Sequence, residues 1–263
     1  MNYQQISFFD LLLATSLILI TLVISSREKL GLERELLIGA VRSFLQLMFV
    51  GYLLQVIFDL QQWYLTLLAL GLMLFIAGIN AWKQQQQRYQ QLFWILTLGI
   101  AFGSLLVLAI VAGLILKVKP WYAPQYLIPL AGMLIGNSMV GAALAANKIS
   151  TAITQHRAEI ELALSLGATS RQAVDPYLKE SLKTAMMPTI STMMTVGIVQ
   201  LPGMMTGQII AGTDPALAVR YQIVVVYMIA AATALTVILV TLWLIKIFFS
   251  PDHQLVYTQI PKL

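Results

Sequence analysis

Apolar residues fall along this chain in long blocks separated by short polar stretches. A helix rises ~1.5 Å per residue, so about 20 apolar residues are needed to cross a hydrocarbon core of ~30 Å. Seven blocks reach or approach that length: Phe8–Ile24, Leu36–Phe58, Trp63–Trp82, Leu92–Leu116, Leu127–Ala146, Ala185–Gly203 and Val219–Phe249. The sixth is the weakest, beginning near Pro188 and ending at Pro202-Gly203. No Lys or Arg precedes the first block and no small-residue cleavage site closes it, so it reads as a retained span rather than a secretory leader. The pattern predicts an all-α integral membrane protein of about seven transmembrane helices, with one transmembrane domain over residues 1–263.

The polar stretches set the orientation, because Lys and Arg near span ends stay cytoplasmic. Arg27, Lys29, Arg34, Lys83, Arg88, Lys148, Arg157, Arg171, Lys179, Lys183, Lys246 and Lys262 fall on one side, against Lys117, Lys119 and Arg220 on the other. That asymmetry predicts the N-terminus out and the C-terminus in. A re-entrant sixth block would break the parity and move the C-terminus outside. Trp63, Tyr64, Trp82, Trp94, Trp121 and Tyr122 stand at span ends, as interfacial aromatic belts do. Gln84–Gln87 reads as a solvated helix end.

One polar stretch is long. Residues 147–184, between spans five and six, read as a cytoplasmic helix-turn-helix. Ile160, Ala163, Leu164 and Leu166 give a stripe up to Gly167. Thr169 with Gln172 three residues on is a capping box that opens a second helix. Val174, Leu178, Leu182 and Ala185 continue it at helical spacing, and Asp175-Pro176 is expected to kink it or delay its start.

Composition narrows the function. Hydrophobic residues make up 59% and charged ones 10%, against about 45–50% and about 25% in soluble domains, and mean hydropathy is +0.82. A soluble enzyme and a nucleic-acid binder are excluded. With no cysteine, thiolate chemistry is excluded, and His156 and His253 alone make no His-rich metal site. The chain lacks a G-x-x-x-x-G-K-[ST] phosphate loop, so it does not bind and split ATP alone. It also lacks H-E-x-x-H, G-x-S-x-G and paired intramembrane aspartates. Interior carboxylates are nearly absent, with Asp10 and Asp59 at span ends, which argues against a proton-coupled carrier.

Two segments carry polar groups at membrane depth. In Leu130–Met139, Gly132 and Gly136 form a small-xxx-small pair for close helix approach, followed by Asn137 and Ser138. In Gln200–Gln208, Pro202-Gly203 should break the helix, and freed backbone groups are tolerated only against protein or a cavity. Interrupted helices with polar residues at depth mark transport paths. The candidate path residues are therefore Asn137, Ser138, Gln200, Pro202, Gly203, Met204, Met205, Thr206 and Gln208. Twelve Met residues, Met186, Met187, Met193 and Met194 among them, offer soft thioethers that favour Cu(I) over Mg or Ca; Met is equally a flexible packing residue. The other isolated polar groups are Arg42, which can snorkel to the cytoplasmic face, Gln46 and Asn80. No metal ligand set is assigned.

The run Ala158–Thr169 resembles the "EAA" loop of ABC-transporter permeases, a short helix and glycine turn that dock into a groove on a separate ATPase subunit. Leu162 departs from the pattern by replacing its first Ala. The resemblance assigns Glu159, Glu161, Ala163, Gly167, Ala168 and Thr169 to ATPase coupling. Leu130–Met139, Glu159–Gln172, Pro188–Gly212 and Ala218–Val225 together resemble the FetB-type permeases, membrane subunits of a bacterial iron-export ABC transporter with plant relatives in aluminium tolerance. This likeness covers nearly the whole chain, and the Leu201–Gly212 run is its most specific part. It implies a homodimeric, multi-pass permease of the inner (plasma) membrane, working with a cytoplasmic ABC ATPase subunit to export iron or another metal. No cofactor is expected on this chain, with ATP on the partner subunit, and no nucleic acid is expected as a partner. The residues alone leave open a non-transporting scaffold, a secondary carrier and an importer.

Overall fold

The computed structural model describes residues 7–86, 88 and 90–256; Gln87 of the glutamine run and Lys262 of the charge count lie outside them. Nine α-helices are present among the described residues: α1 (Phe8–Arg27), α2 (Glu33–Leu60), α3 (Trp63–Lys83), α4 (Gln90–Ile110), α5 (Pro124–Gln155), α6 (Arg157–Ser165), α7 (Ser170–Thr195), α8 (Gly203–Ile210) and α9 (Pro215–Phe248). A π-helical turn, Val111–Ile115, prolongs α4. Five helical stretches are long and apolar enough to cross a membrane: α2, α3, α4 with its π turn, α5 and α9; α1 contributes a shorter apolar run.

Six of the seven predicted blocks are thus helices. Ala185–Gly203 is not a helix of its own. Its first half is the end of α7, which begins at Ser170; the rest is a turn and the first residue of α8. The physical cause is local. Gly197 takes φ +86°, where only glycine is unstrained, and its N–H donates to the Gln200 carbonyl at 2.9 Å, reversing the chain ahead of Pro202. The expected delay at Pro176 does not occur: α7 starts at Ser170 on the Thr169–Gln172 capping box and contains both Pro176 and Pro188.

The chain forms two compact units, Met1–Gln61 and Gln62–Leu263. The first is the α1–α2 hairpin. Its turn is held by Ser25, whose hydroxyl donates to Glu33 at 2.8 Å and accepts from the Leu32 N–H at 3.3 Å. Leu11, Leu22, Leu37 and Phe44 line an apolar groove of about 560 Å³ between its helices.

In the second unit the contacts give each helix a direction. The start of α3 lies beside the α4–α5 loop, where Thr66 Oγ1 donates to the Tyr122 carbonyl at 3.2 Å. The end of α3 lies beside the second half of α5, where Asn147 Nδ2 donates to the Gln84 carbonyl at 3.2 Å. α9 begins beside the first half of α5 and the end of α7. The segment after α9 returns to the start of α7, where Ser170 meets His253. So α3, α5 and α9 run one way, and α4 and α7 the other. Lys83, Lys148, Arg157, Arg171 and Lys246 gather at one end of this unit, with Lys117, Lys119 and Arg220 at the other. Trp63 and Trp121 mark the second end and Trp82 and Trp94 the first, separated by the length of α3, ~30 Å.

The core lies where α5 and α9 cross the other helices, on fully buried Leu96, Ile100, Leu134, Ile149, Val240 and Leu244. Glycine sets how closely the helices approach, but not at the expected pair. A Cβ on Gly136 would meet nothing within 4 Å, and one on Gly132 only Met73. The close contacts are at other glycines, Gly78 on α3 and Gly141 on α5 against side chains, and on α4 against backbone: a Cβ on Gly103 would lie 2.9 Å from the Ala232 carbonyl oxygen and 3.0 Å from the Thr236 nitrogen of α9. Gln85 also departs from expectation. It is buried rather than solvated, its amide donating to the carbonyls of Ala81 (2.9 Å) and Ala143 (3.3 Å). Carbonyls at a helix end have no partner within the helix, and Gln85 supplies one while tying α3 to α5.

Candidate functional site

Two places bring the predicted residues together: an elbow of α5, α6 and α7, and a cavity at the other end of α7.

The elbow is built from local rules. α5 does not stop at Ala146 but continues to Gln155, so the first residues of the predicted loop are helix. His156 then ends α5 and begins α6. At the far end of α6, the Gly167 N–H bonds the Leu164 carbonyl at 3.0 Å and the Ala168 N–H bonds the Ala163 carbonyl at 3.1 Å. With Gly167 at φ +90°, this is a Schellman stop, and it needs a residue free to adopt positive φ. Thr169 accepts from the Gln172 N–H and starts α7.

Side chains fasten the elbow. Ile160 is fully buried, with Val174 and Leu178 of α7 in the same core cluster. The Tyr177 hydroxyl donates to the Glu159 carboxylate, the His156 ring stacks on Tyr177 with centroids 4.5 Å apart, and His156 Nδ1 lies 3.5 Å from Glu159. Lys148 of α5 pairs with Glu180 of α7 at 2.8 Å. The Tyr177 hydroxyl, then His156, holds the Glu159 carboxyl below the usual carboxylate range. The same hydrogen bond pushes Tyr177 up to about 12. Lys148 holds Glu180 low. Glu159 therefore faces α7, whereas Glu161 pairs with Arg157 at 3.0 Å and borders a cleft shared with Asp252 and His253 of the C-terminal segment.

The predicted apolar stripe divides at its end. Ala163 and Leu164 are half-buried against the core, but Leu166 is 80% exposed, as is Leu162 at 61%. Six residues after Ile160, Leu166 stands about 240° round the helix from it. Leu162 and Leu166 thus form an outward apolar pair one helical turn apart.

The cavity encloses about 320 Å³ between α5, the end of α7, α8 and the start of α9. Five predicted path residues line it: Asn137, Gln200, Pro202, Gly203 and Met204. Ser138 does not; it is buried on α5, and its Oγ has no hydrogen-bond partner. Met205, Thr206 and Gln208 are half-buried on α8 away from the wall; Thr206 Oγ1 donates to the Pro202 carbonyl at 3.1 Å. Met193, one of the methionines singled out for its thioether, also lines it, and so do Met133, Thr189, Thr192 and Gln222, which were not anticipated as path residues, with four aliphatic side chains beside them. Gln222 is 7% exposed and its Oε1 has no partner. Its one sequence signal is an amide inside the apolar run Val219–Phe249. Among the described residues no group of three or more His, Asp or Glu is placed to hold a metal ion.

The family model described as "Uncharacterised protein family (UPF0014)" matches residues 8–249. The chain is 38% identical over 264 residues to "Probable iron export permease protein FetB" of Escherichia coli (strain K12), covering 100% of both chains. It is 40% identical over 228 residues to "UPF0014 membrane protein slr1647" of Synechocystis sp., covering 87% of this chain and 88% of the relative. It is 34% identical over 242 residues to "Protein ALUMINUM SENSITIVE 3" of Arabidopsis thaliana, covering 92% and 87%. No solved structure matches it.

Proposed function

The chain belongs to the UPF0014 family of membrane proteins, and from that premise we propose that it is the permease subunit of an ABC transporter, exporting iron or another metal ion and driven by a separate cytoplasmic ATPase. The observation that carries this reading is the elbow. α6 is bonded to α5 and α7 on its inner side and presents Leu162 and Leu166 outward. Single exposed leucines are ordinary on a surface; a pair on a short helix rigidly joined to two core helices suits docking into a partner's groove. Glu161 and Gly167 lead the coupling role, with Glu159, Ala163, Ala168 and Thr169 shaping the turn.

α7 joins this elbow to the cavity, so motion received at α6 has a direct route to Thr189, Thr192 and the Pro202-Gly203 break. We assign the cavity to the translocation path, with Asn137, Gln200, Met204 and Gly203 on its wall. Alternating access follows: ATP closes the partner dimer, the elbow is pushed, and α7 and α8 shift against α5 and α9. The iron assignment rests on the bacterial relative's name; the export direction is carried over with it.

We place the protein in the inner membrane as a single permease domain. α7 with α8 counts as the sixth pass, giving seven, the N-terminus out and the C-terminus in. The alternating helix directions and the segregation of Lys and Arg to opposite ends of the second unit support this. A homodimer is supported by the turn after α7, where Ile198 and Val199 are 90% and 79% exposed. Irregular backbone at membrane depth needs protein or a cavity beside it.

The test is mild extraction from cells carrying the neighbouring genes. A soluble ATPase should co-purify, and should be lost in a Glu161→Ala, Gly167→Pro double variant. Absence of any ATPase from the wild-type preparation would refute the permease reading in favour of a scaffold or a carrier. Metal-loaded vesicles containing the complex then settle cargo and direction.

A further inference from the structure

We propose that the cavity is a binding site for an uncharged organic molecule with an apolar body and a carbonyl or hydroxyl end. The lining alone carries that assignment. That the molecule is the cargo, with any metal enclosed by the molecule's own ligands, rests on reading the cavity as the translocation path.

Size and lining fit a small molecule. About 320 Å³ is at the lower end of the ~300–1,000 Å³ of small-molecule sites, which are mostly apolar with a few polar groups. Seven of the lining side chains are valine, isoleucine or methionine. Val225 on this wall is 3% exposed, and the Oε1 of buried Gln222 is closed off from the cavity. Three polar side chains, Asn137, Thr192 and Gln200, are exposed and stand at its open side. An apolar body thus has a dry wall to lie on, and a polar end has partners. Asn137 uses one N–H on the Met133 carbonyl at 2.8 Å and keeps another N–H and its oxygen. α8 opens on the wall at Gly203 and Met204, and the first N–H groups of a helix have no partner within it. Donors and acceptors are therefore mixed, which suits a carbonyl or hydroxyl group.

Charge decides the class. None of the described residues that line the cavity is Asp, Glu, His, Lys or Arg. A buried ion without a counter-charge is costly. The α8 terminus offers at most about half an elementary charge, enough to orient an oxygen dipole and too little to balance a carboxylate. A cation meets no carboxylate at all.

The chain has no cysteine, so Val226→Cys or Thr192→Cys places a single thiol on the wall. Tyr227→Cys, at a position 64% exposed and off the wall, supplies a single control thiol. The full-length permease in detergent is labelled with uncharged methyl methanethiosulfonate, with and without 1-naphthamide, 1-naphthoate or 1-naphthylmethylammonium. These share one ring system and differ in charge. Naphthamide should slow labelling at both wall thiols and not at the control, at concentrations at least about tenfold below those either ion requires. Asn137→Leu, added to each wall thiol, should raise the naphthamide concentration needed by roughly 2–10-fold and leave that for naphthalene unchanged. Two wall positions keep the outcome decisive should one variant not fold. Stronger protection by naphthoate would assign the site to anions at the helix terminus, and by the ammonium to cations; either overturns the proposal. Equal slowing at Tyr227→Cys would reduce the effect to partition into the micelle, and no slowing at either wall thiol would mean that no such site exists. Because no ATPase is present, loss of co-purification would sink the permease reading and leave this result standing.

Discussion

Gly167 sits at φ +90° with nothing within 4 Å of where a Cβ would stand, so replacing it changes backbone preference and little else. An L-residue held in left-handed backbone costs about 1–2 kcal/mol, and Asn tolerates it best among non-glycine residues. Gly167→Ala should therefore weaken the Schellman stop by about 1–2 kcal/mol, raising local opening by roughly 5–30-fold. Gly167→Asn should lie between Ala and wild type. Gly167→Pro fixes φ near −65° and removes the N–H that bonds Leu164, so the stop is lost. Hydrogen exchange read by mass spectrometry across 157–175 measures the opening. Ile160 and the Tyr177–Glu159 contact should keep α6 docked in the Ala and Asn variants. All three proteins should reach the membrane, and ATPase co-purification should fall in the order Gly, Asn, Ala, Pro. Equal exchange in the wild type and Gly167→Pro would refute the claim that backbone geometry at this residue sets the elbow. Ordered exchange with unchanged ATPase binding would refute its role in docking.

Gly103→Val should force α4 from α9, because its Cβ meets backbone atoms at 2.9 and 3.0 Å; a loss of about 1–3 kcal/mol or more should appear as a lower melting temperature in detergent, with Gly136→Ala close to neutral. Gln85→Leu should cost about 1–3 kcal/mol, because the buried carbonyls of Ala81 and Ala143 lose their side-chain donor; a melt unchanged from wild type would deny that tie. Glu159 is lowered from 4.5, so its stabilising part is present above 4.5 and lost as pH falls through the lowered value. Tyr177 is raised from 10.0 to about 12, so its part is present below 10 and lost on the way to 12. Cross-linking of α6 to α7 through introduced cysteines should fall at both extremes in the wild type; Tyr177→Phe should lose the alkaline dependence and keep only the weaker acid dependence that His156 supports.

Hydropathy found six helices because membrane-spanning length is a property of one segment and needs no knowledge of its neighbours. The elbow was legible for a similar reason: Gly167 and the Thr169–Gln172 box act within a few residues. The cavity was half legible. Pro202-Gly203 announces a break, and Asn137 a polar group at depth. Gln222 and Thr189 do not, since a lone polar residue in an apolar run reads alike whether it faces lipid, a packed helix or a cavity. The packing glycines illustrate the same limit. Gly99 and Gly103 carry the same four-residue spacing as Gly132 and Gly136, and only the fold tells which pair meets another helix. The break in the sixth block had a local cause as well, because Gly197 lies within an otherwise apolar stretch that averaging smooths over.

The uninterrupted run of α5 has a mechanical consequence. Its proline, Pro129, lies before the cavity residues, so from Met133 to Gln155 the helix is a stiff bar. Lys148 and His156, which meet α6 and α7, and Asn137, which meets the cavity, are fixed to that bar. About 28 Å separates Asn137 from His156 along it. A swing of about 5° around its midpoint would displace each end by roughly 1.2 Å, in opposite directions. Misplacement by about 1 Å is enough to change how a bound group is held. On the proposed reading, a stroke delivered at the elbow need not be large to be felt at the cavity, and α5 would carry force from one end into altered affinity at the other.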